Sequence, residues 1–106
     1  MIMSAVIDSL AALAQTHRLA AFRALVQAGS GGMAAGALAD AVELSPSALS
    51  FHLAHLARAG LIRRRRDGRR LIYAADFAAM TGLVGYLTEN CCGGVPCTTP
   101  TESIAA

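Results

Sequence analysis

Leu44-Ser45-Pro46-Ser47-Ala48-Leu49-Ser50-Phe51-His52-Leu53 decides the fold of this chain. Ser45 is suited to accept a hydrogen bond from an amide of the next turn, and Pro46 to the first helical position, where an amide would have no partner. A helix therefore begins here, carries Leu49, Leu53 and Leu56 along one side, and stops at Gly60. Just upstream, Leu38 and Val42 mark the inward face of a short helix running from about Ala34 to Val42. Two helices joined by a tight turn, the second opening on small polar residues, make a helix-turn-helix. In that motif the second helix lays its N-terminal residues against base edges in the major groove.

Downstream of this helix, the period changes after Leu61-Ile62. Asp67-Gly68 is a two-residue hairpin signal, since both residues tolerate positive φ. It predicts strands over 62–66 and 69–74 with an arginine-rich tip. Asp76 is placed to cap a last helix ending near Thr88, with Phe77, Met80, Leu83, Val84 and Leu87 as its apolar stripe. On the other side, Val6, Ile7, Leu10, Leu13 and Ala14 recur at helical spacing. Thr16 is placed to cap a second helix with Leu19, Phe22, Leu25 and Val26 inward, ending before the loop Gly29-Ser30-Gly31-Gly32. The expected fold is mostly α with one β-hairpin, a winged helix-turn-helix in the order αααα-ββ-α. It occupies residues 1–88 as one domain, followed by a flexible tail over 89–106.

Net charge is only +2, but six of the nine basic residues are Arg63, Arg64, Arg65, Arg66, Arg69 and Arg70, and every basic residue is arginine. Such a block is an anion-binding footprint, with a solvated charged hairpin as the plain alternative. Successive strand residues point to opposite faces, so the whole block does not reach one phosphate backbone. Arg65, Arg66, Arg69 and Arg70, nearest the turn, are the candidates for phosphate or minor-groove contact. On the second helix of the motif, Ser47, Ser50 and Phe51 are the candidates for the groove. His52 and His55 are candidate phosphate donors, for which simple surface exposure is the alternative. Ser45 is assigned to capping. The implied partner is double-stranded DNA.

Three cysteines, Cys91, Cys92 and Cys97, lie together near the C-terminus and nowhere else. Adjacent cysteines are poorly placed to pair with each other. Three thiolates on a glycine-containing loop suit one soft ion, because thiolates select soft or borderline metals over Mg or Ca. Structural zinc wants four ligands and would need Glu89, a histidine from elsewhere or a second chain. The competing readings are a thiol-oxidation switch and cysteines with no role. Ala12-Leu13-Ala14 resembles a signal-peptidase site, but the preceding segment has no Lys or Arg and carries Asp8, so a cytoplasmic chain is expected. The glycine-interrupted stretch from Ala24 to Ala39 is too short for a membrane span. No Cys-x-x-Cys, phosphate-cradling glycine motif or His-Glu-x-x-His is present, so neither an enzyme nor an organic cofactor is expected.

The segments Ala14-Gln15-Thr16-His17-Arg18-Leu19, Leu44 to Leu53, and Ala59-Gly60-Leu61-Ile62 leading into the Asp67-Gly68 wing resemble the ArsR/SmtB family of metal-responsive repressors over roughly residues 5–88. The resemblance implies a homodimer joined through the first and last helices, which binds an operator without metal and releases it on metal binding. Two of the family's better-known sites have no counterpart here. There is no cysteine near Ala34-Ala35-Gly36, and no histidine beyond His55. Cys91, Cys92 and Cys97 instead resemble the arsenic-sensing subgroup with a vicinal pair and a third cysteine after the last helix. That subgroup implies As(III) as inducer, with Sb(III) beside it, and methylarsenite needing only two thiolates. A thiol-oxidation repressor and a Zn/Cd-responsive member of the same fold are the alternatives. A metalloid-binding buffer protein that ignores DNA is a third, and it leaves the arginine wing unexplained.

Overall fold

The computed structural model describes residues 1–96. Its elements are α1 (Met3–Leu13), α2 (Thr16–Ala28), β1 (Met33–Ala34), α3 (Ala35–Val42), α4 (Pro46–Arg58), β2 (Ile62–Asp67), β3 (Arg70–Ala75), α5 (Phe77–Thr88) and a short 3-10 turn, Cys91–Gly94. α4 starts as the serine-proline pair dictates: Ser45 Oγ accepts from the Ala48 amide at 3.2 Å, and Pro46 fills the first turn. Its stripe of Leu49, Leu53 and Leu56 is completely buried, together with Leu25 of α2, Leu38 of α3 and Leu61 at the foot of the hairpin. Phe22, Ile62, Tyr73 and Ala75 complete this core. Burying one leucine contributes about 1.5–3 kcal/mol, so the α4 stripe is the main force seating that helix.

Three local details differ from the sequence expectation. Gln15, not Thr16, caps α2: in extended conformation its longer side chain reaches forward, and Oε1 accepts from the Arg18 amide at 2.9 Å. The hairpin turn is Gly68-Arg69 rather than Asp67-Gly68. Asp67 is still a strand residue opposite Arg70, and only Gly68 takes positive φ, the pattern of a two-residue turn with glycine first. A third strand also appears: β1 pairs with β3 through Met33↔Tyr73 and Ala34↔Ile72, giving the antiparallel order β1-β3-β2. Two residues are too few to show any period in a sequence.

β1 depends on Gly32, which has φ +72° and sits so close to β3 that a Cβ there would overlap the Tyr73 carbonyl. Asp76 caps α5 as expected, Oδ1 accepting from the Ala79 amide at 3.0 Å, while Oδ2 accepts from Arg63 Nε at 2.9 Å. The Ala79 amide first, and the Arg63 guanidinium second, hold this carboxyl below the usual carboxylate range.

The terminal helices are only half covered. α1 buries Val6, Ser9 and Ala12, and α5 buries Leu83, but Ile7 is 57% exposed and Leu87 59%. Met3, Leu10 and Val84 share this exposure. Among the described residues no helix is long and apolar enough to cross a membrane.

Gly32→Ala is expected to destabilise the fold by more than about 1 kcal/mol, since it combines backbone strain with a clash. Gly31→Ala, whose Cβ meets nothing within 4 Å, is expected to cost far less. Urea unfolding of both variants checks this; equal losses would remove the role given to Gly32.

Candidate nucleic-acid interface and thiol cluster

Once its leucine stripe is buried, α4 has one side left for solvent. Ser47, Ser50 and Phe51 lie on it, and Phe51 is 70% exposed, more than any other large apolar side chain on a helix among the described residues. Ser47 Oγ lies 3.4 Å from Ser45 Oγ, so the capping serine also orients its neighbour. These three residues form a surface able to meet base edges and thymine methyls.

His52 is placed differently from those three. It is half-buried on the side of α4 that turns towards α2, its ring centroid 5.5 Å from that of His17. Its Nδ1 is fully buried and has no hydrogen-bond partner among the described residues. Desolvation first, then the charges of Arg18, His17 and His55, hold its pKa below the ordinary imidazole value. Arg18 is itself pinned, Nε donating to the Ala12 carbonyl at 2.6 Å. His52 is therefore a neutral packing group at the junction of α2 and α4.

The wing divides its arginines by strand alternation. Arg63 donates to Asp76, and Arg65 donates through Nη2 to the Gly31 carbonyl at 3.0 Å, so both tie the wing to the body. Arg66 lies opposite Leu71 on the other face. Arg69 sits at the turn, and Arg70 opposes Asp67. Of the four candidates, Arg65 is already engaged, whereas Arg66, Arg69 and Arg70 make no side-chain hydrogen bond or ion pair among the described residues. Arg64 is further from the tip and is not among those four. It shares a face with Arg66 and stands beside Ser50; counting by twos from Arg66 would have found it.

Beyond α5 the chain curls tightly. Asn90, Cys92, Gly93 and Gly94 all take positive φ, and the Gly93 amide donates to the Asn90 carbonyl at 2.9 Å. The curl brings Cys91 Sγ and Cys92 Sγ to 3.6 Å, both exposed. With bonds of about 2.3 Å to a thiophilic ion, two sulfurs on one centre at a tetrahedral angle sit roughly 3.8 Å apart. This pair thus has the span to share an ion. Cys92 is disulfide-bonded here, so ligation requires its reduced form. Cys97 lies outside the described residues.

A buried leucine-striped helix, a polar outer edge and a basic antiparallel wing define a winged helix-turn-helix of the kind found in transcriptional regulators. Residues 13–65 match the family model described as a helix-turn-helix domain. Over 80 residues the chain is 39% identical to the nodulation protein NolR of Rhizobium meliloti, covering 76% of this chain but only 63% of that protein. Among solved structures, a possible transcriptional regulator for arsenical resistance superposes with a TM-score of 0.65 at 32% identity, over 76% of this chain and 80% of the other. The homodimeric winged helix-turn-helix DNA-binding domain of a possible ArsR-family regulator from Mycobacterium bovis gives 0.65 at 27%, over 92% and 90%. The chain belongs to the helix-turn-helix domain family, and it shares the winged-helix fold of these regulators.

The state of His52 has a thermodynamic consequence. Between its lowered folded pKa and the unfolded value of about 6.5 the unfolded chain binds the extra proton, so stability rises with pH across that window. Stability is expected to be full above about pH 6.5 and to fall as pH drops towards the folded pKa. His52→Phe, which removes the titration, should flatten the urea midpoint against pH; an unchanged profile would assign the dependence elsewhere.

Proposed function

We propose that this chain is a dimeric transcriptional repressor that holds operator DNA with α4 and the wing and releases it when As(III) takes the sulfurs of Cys91 and Cys92. The observation that carries the effector half of this reading is the pair of exposed sulfurs 3.6 Å apart directly after the last helix. The likeness to a protein named as a possible regulator for arsenical resistance supports it. Cys97 is proposed as the third thiolate. Sb(III) and methylarsenite are further inducers on the same reading, methylarsenite through the vicinal pair alone. Structural zinc or cadmium would need a fourth ligand beside the three cysteines, from Glu89, a histidine or the second copy.

Dimerisation is part of the proposal. The exposed Ile7, Leu10, Val84 and Leu87 leave α1 and α5 with apolar faces that a second copy would cover. The M. bovis neighbour is itself described as homodimeric. A two-fold dimer presents its α4 helices to half-sites about one DNA turn, roughly 34 Å, apart. The thiol turn follows α5 directly, so ordering it around an ion bears on the helix that sets this spacing.

One observation favours a second reading. Cys92 is disulfide-bonded, and a switch driven by peroxide would convert two thiols to a disulfide with reduction of the peroxide to two waters. In this reading oxidant releases DNA without any metalloid.

Mobility shift of the chain's own upstream DNA separates these readings. Fully reduced protein should bind, and As(III) should weaken binding by about 5–150-fold, the usual size of effector coupling. Cys91→Ser/Cys92→Ser should bind DNA equally well and ignore As(III). Release of that double variant by As(III) would contradict the site, and release of the wild type by peroxide alone would favour the redox reading.

A further inference from the structure

A furrow separates α4 from the wing. It encloses about 310 Å³ and is walled by Ser50, Ala54 and Arg58 of α4 and by Arg64 of β2, over a floor of Leu53 and Tyr73. Its polar groups are two guanidiniums and two hydroxyls, with no carboxylate in the lining. Arg58 and Arg64 have no hydrogen-bond or ion-pair partner among the described residues, whereas Arg63 and Arg65 on the opposite face of the same strand are both engaged. Asp8 and His55 line the neighbouring groove that Arg58 also borders, and neither bonds to it.

A helix about 10–12 Å across fills a major groove about 12 Å wide. A wing beside it enters the adjacent minor groove. What separates a major from a minor groove is one sugar-phosphate strand. That strand must lie over whatever separates helix from wing, and in this protein that is the Arg58–Arg64 furrow. Ser50 belongs both to the furrow and to the polar edge of α4, which places the two surfaces side by side.

We propose that Arg58 and Arg64 form a seat for a backbone phosphate of duplex DNA, fixing the register of α4 without reading sequence. This rests on the DNA-binding reading above. It divides the wing by strand face: Arg64 and Arg66 serve DNA, and Arg63 and Arg65 hold the wing in place.

The test is fluorescence anisotropy of the full chain on its upstream duplex and on a scrambled duplex, across a salt series. Arg58→Gln and Arg64→Gln should each weaken binding by a similar factor on both duplexes. Each should also lower the slope of log affinity against log salt by about 0.9, the loss of one phosphate contact. Arg64→Lys should restore most of the slope, which separates lost charge from misfolding. Arg63→Gln should leave the slope unchanged. If the wild type binds with a steep slope and neither glutamine variant alters it, the seat is wrong while the DNA-binding reading stands. If the wild type binds neither duplex, both fall.

Discussion

The fold rests on burying one stripe of α4. Leu49, Leu53 and Leu56 are spaced so that a single helix face meets α2, α3 and the hairpin foot, and all three are sealed from water. Truncating such a leucine typically costs about 2–5 kcal/mol, a large share of the marginal stability of a small domain. That burial also orients the helix. With the leucines facing in, Ser47, Ser50 and Phe51 can only face out, and His52 is turned against His17. The polar edge presented to a ligand is the geometric remainder of the core.

The same principle explains what could be read from the sequence and what could not. The start of α4 was legible because Ser45 and Pro46 each have a position-specific reason to be there, and Asp76 was legible for the same kind of reason. The Gly68-Arg69 turn was displaced by one residue because Asp67 and Gly68 both tolerate the required backbone, and only strand pairing chooses between them. β1 was invisible: a two-residue strand carries no period, and Gly32 shows its purpose only when β3 lies against it. The roles of the arginines were half legible. Composition located the block, but only the contacts of Arg63 with Asp76 and Arg65 with Gly31 show which face is engaged. His52 looked like a surface donor because polarity alone does not reveal that a neighbouring helix covers it.

The thiol end is joined to the DNA end through short-range bonds. The Asp76 amide donates to the Leu61 carbonyl at 2.8 Å, and its carboxylate caps α5 while holding Arg63 of the wing. The start of α5 is thus fastened to the foot of the wing, and its far end runs directly into the cysteine turn. Arg63 is largely exposed, so the ion pair itself contributes little, within about 1 kcal/mol. Its value is geometric: it sets the foot of the wing against the start of α5. Cys92 adopts a left-handed backbone that costs a non-glycine residue about 1–2 kcal/mol.

On the proposed reading the sulfurs at the end of α5 are the receptor for a trivalent metalloid. Arsenic K-edge X-ray absorption of the reduced full chain loaded with stoichiometric As(III) reads their ligation. A first shell made of sulfur alone is expected, lost when Cys91 and Cys92 are both changed to serine. An oxygen shell in the wild type, as for the free oxyacid in solution, would contradict it.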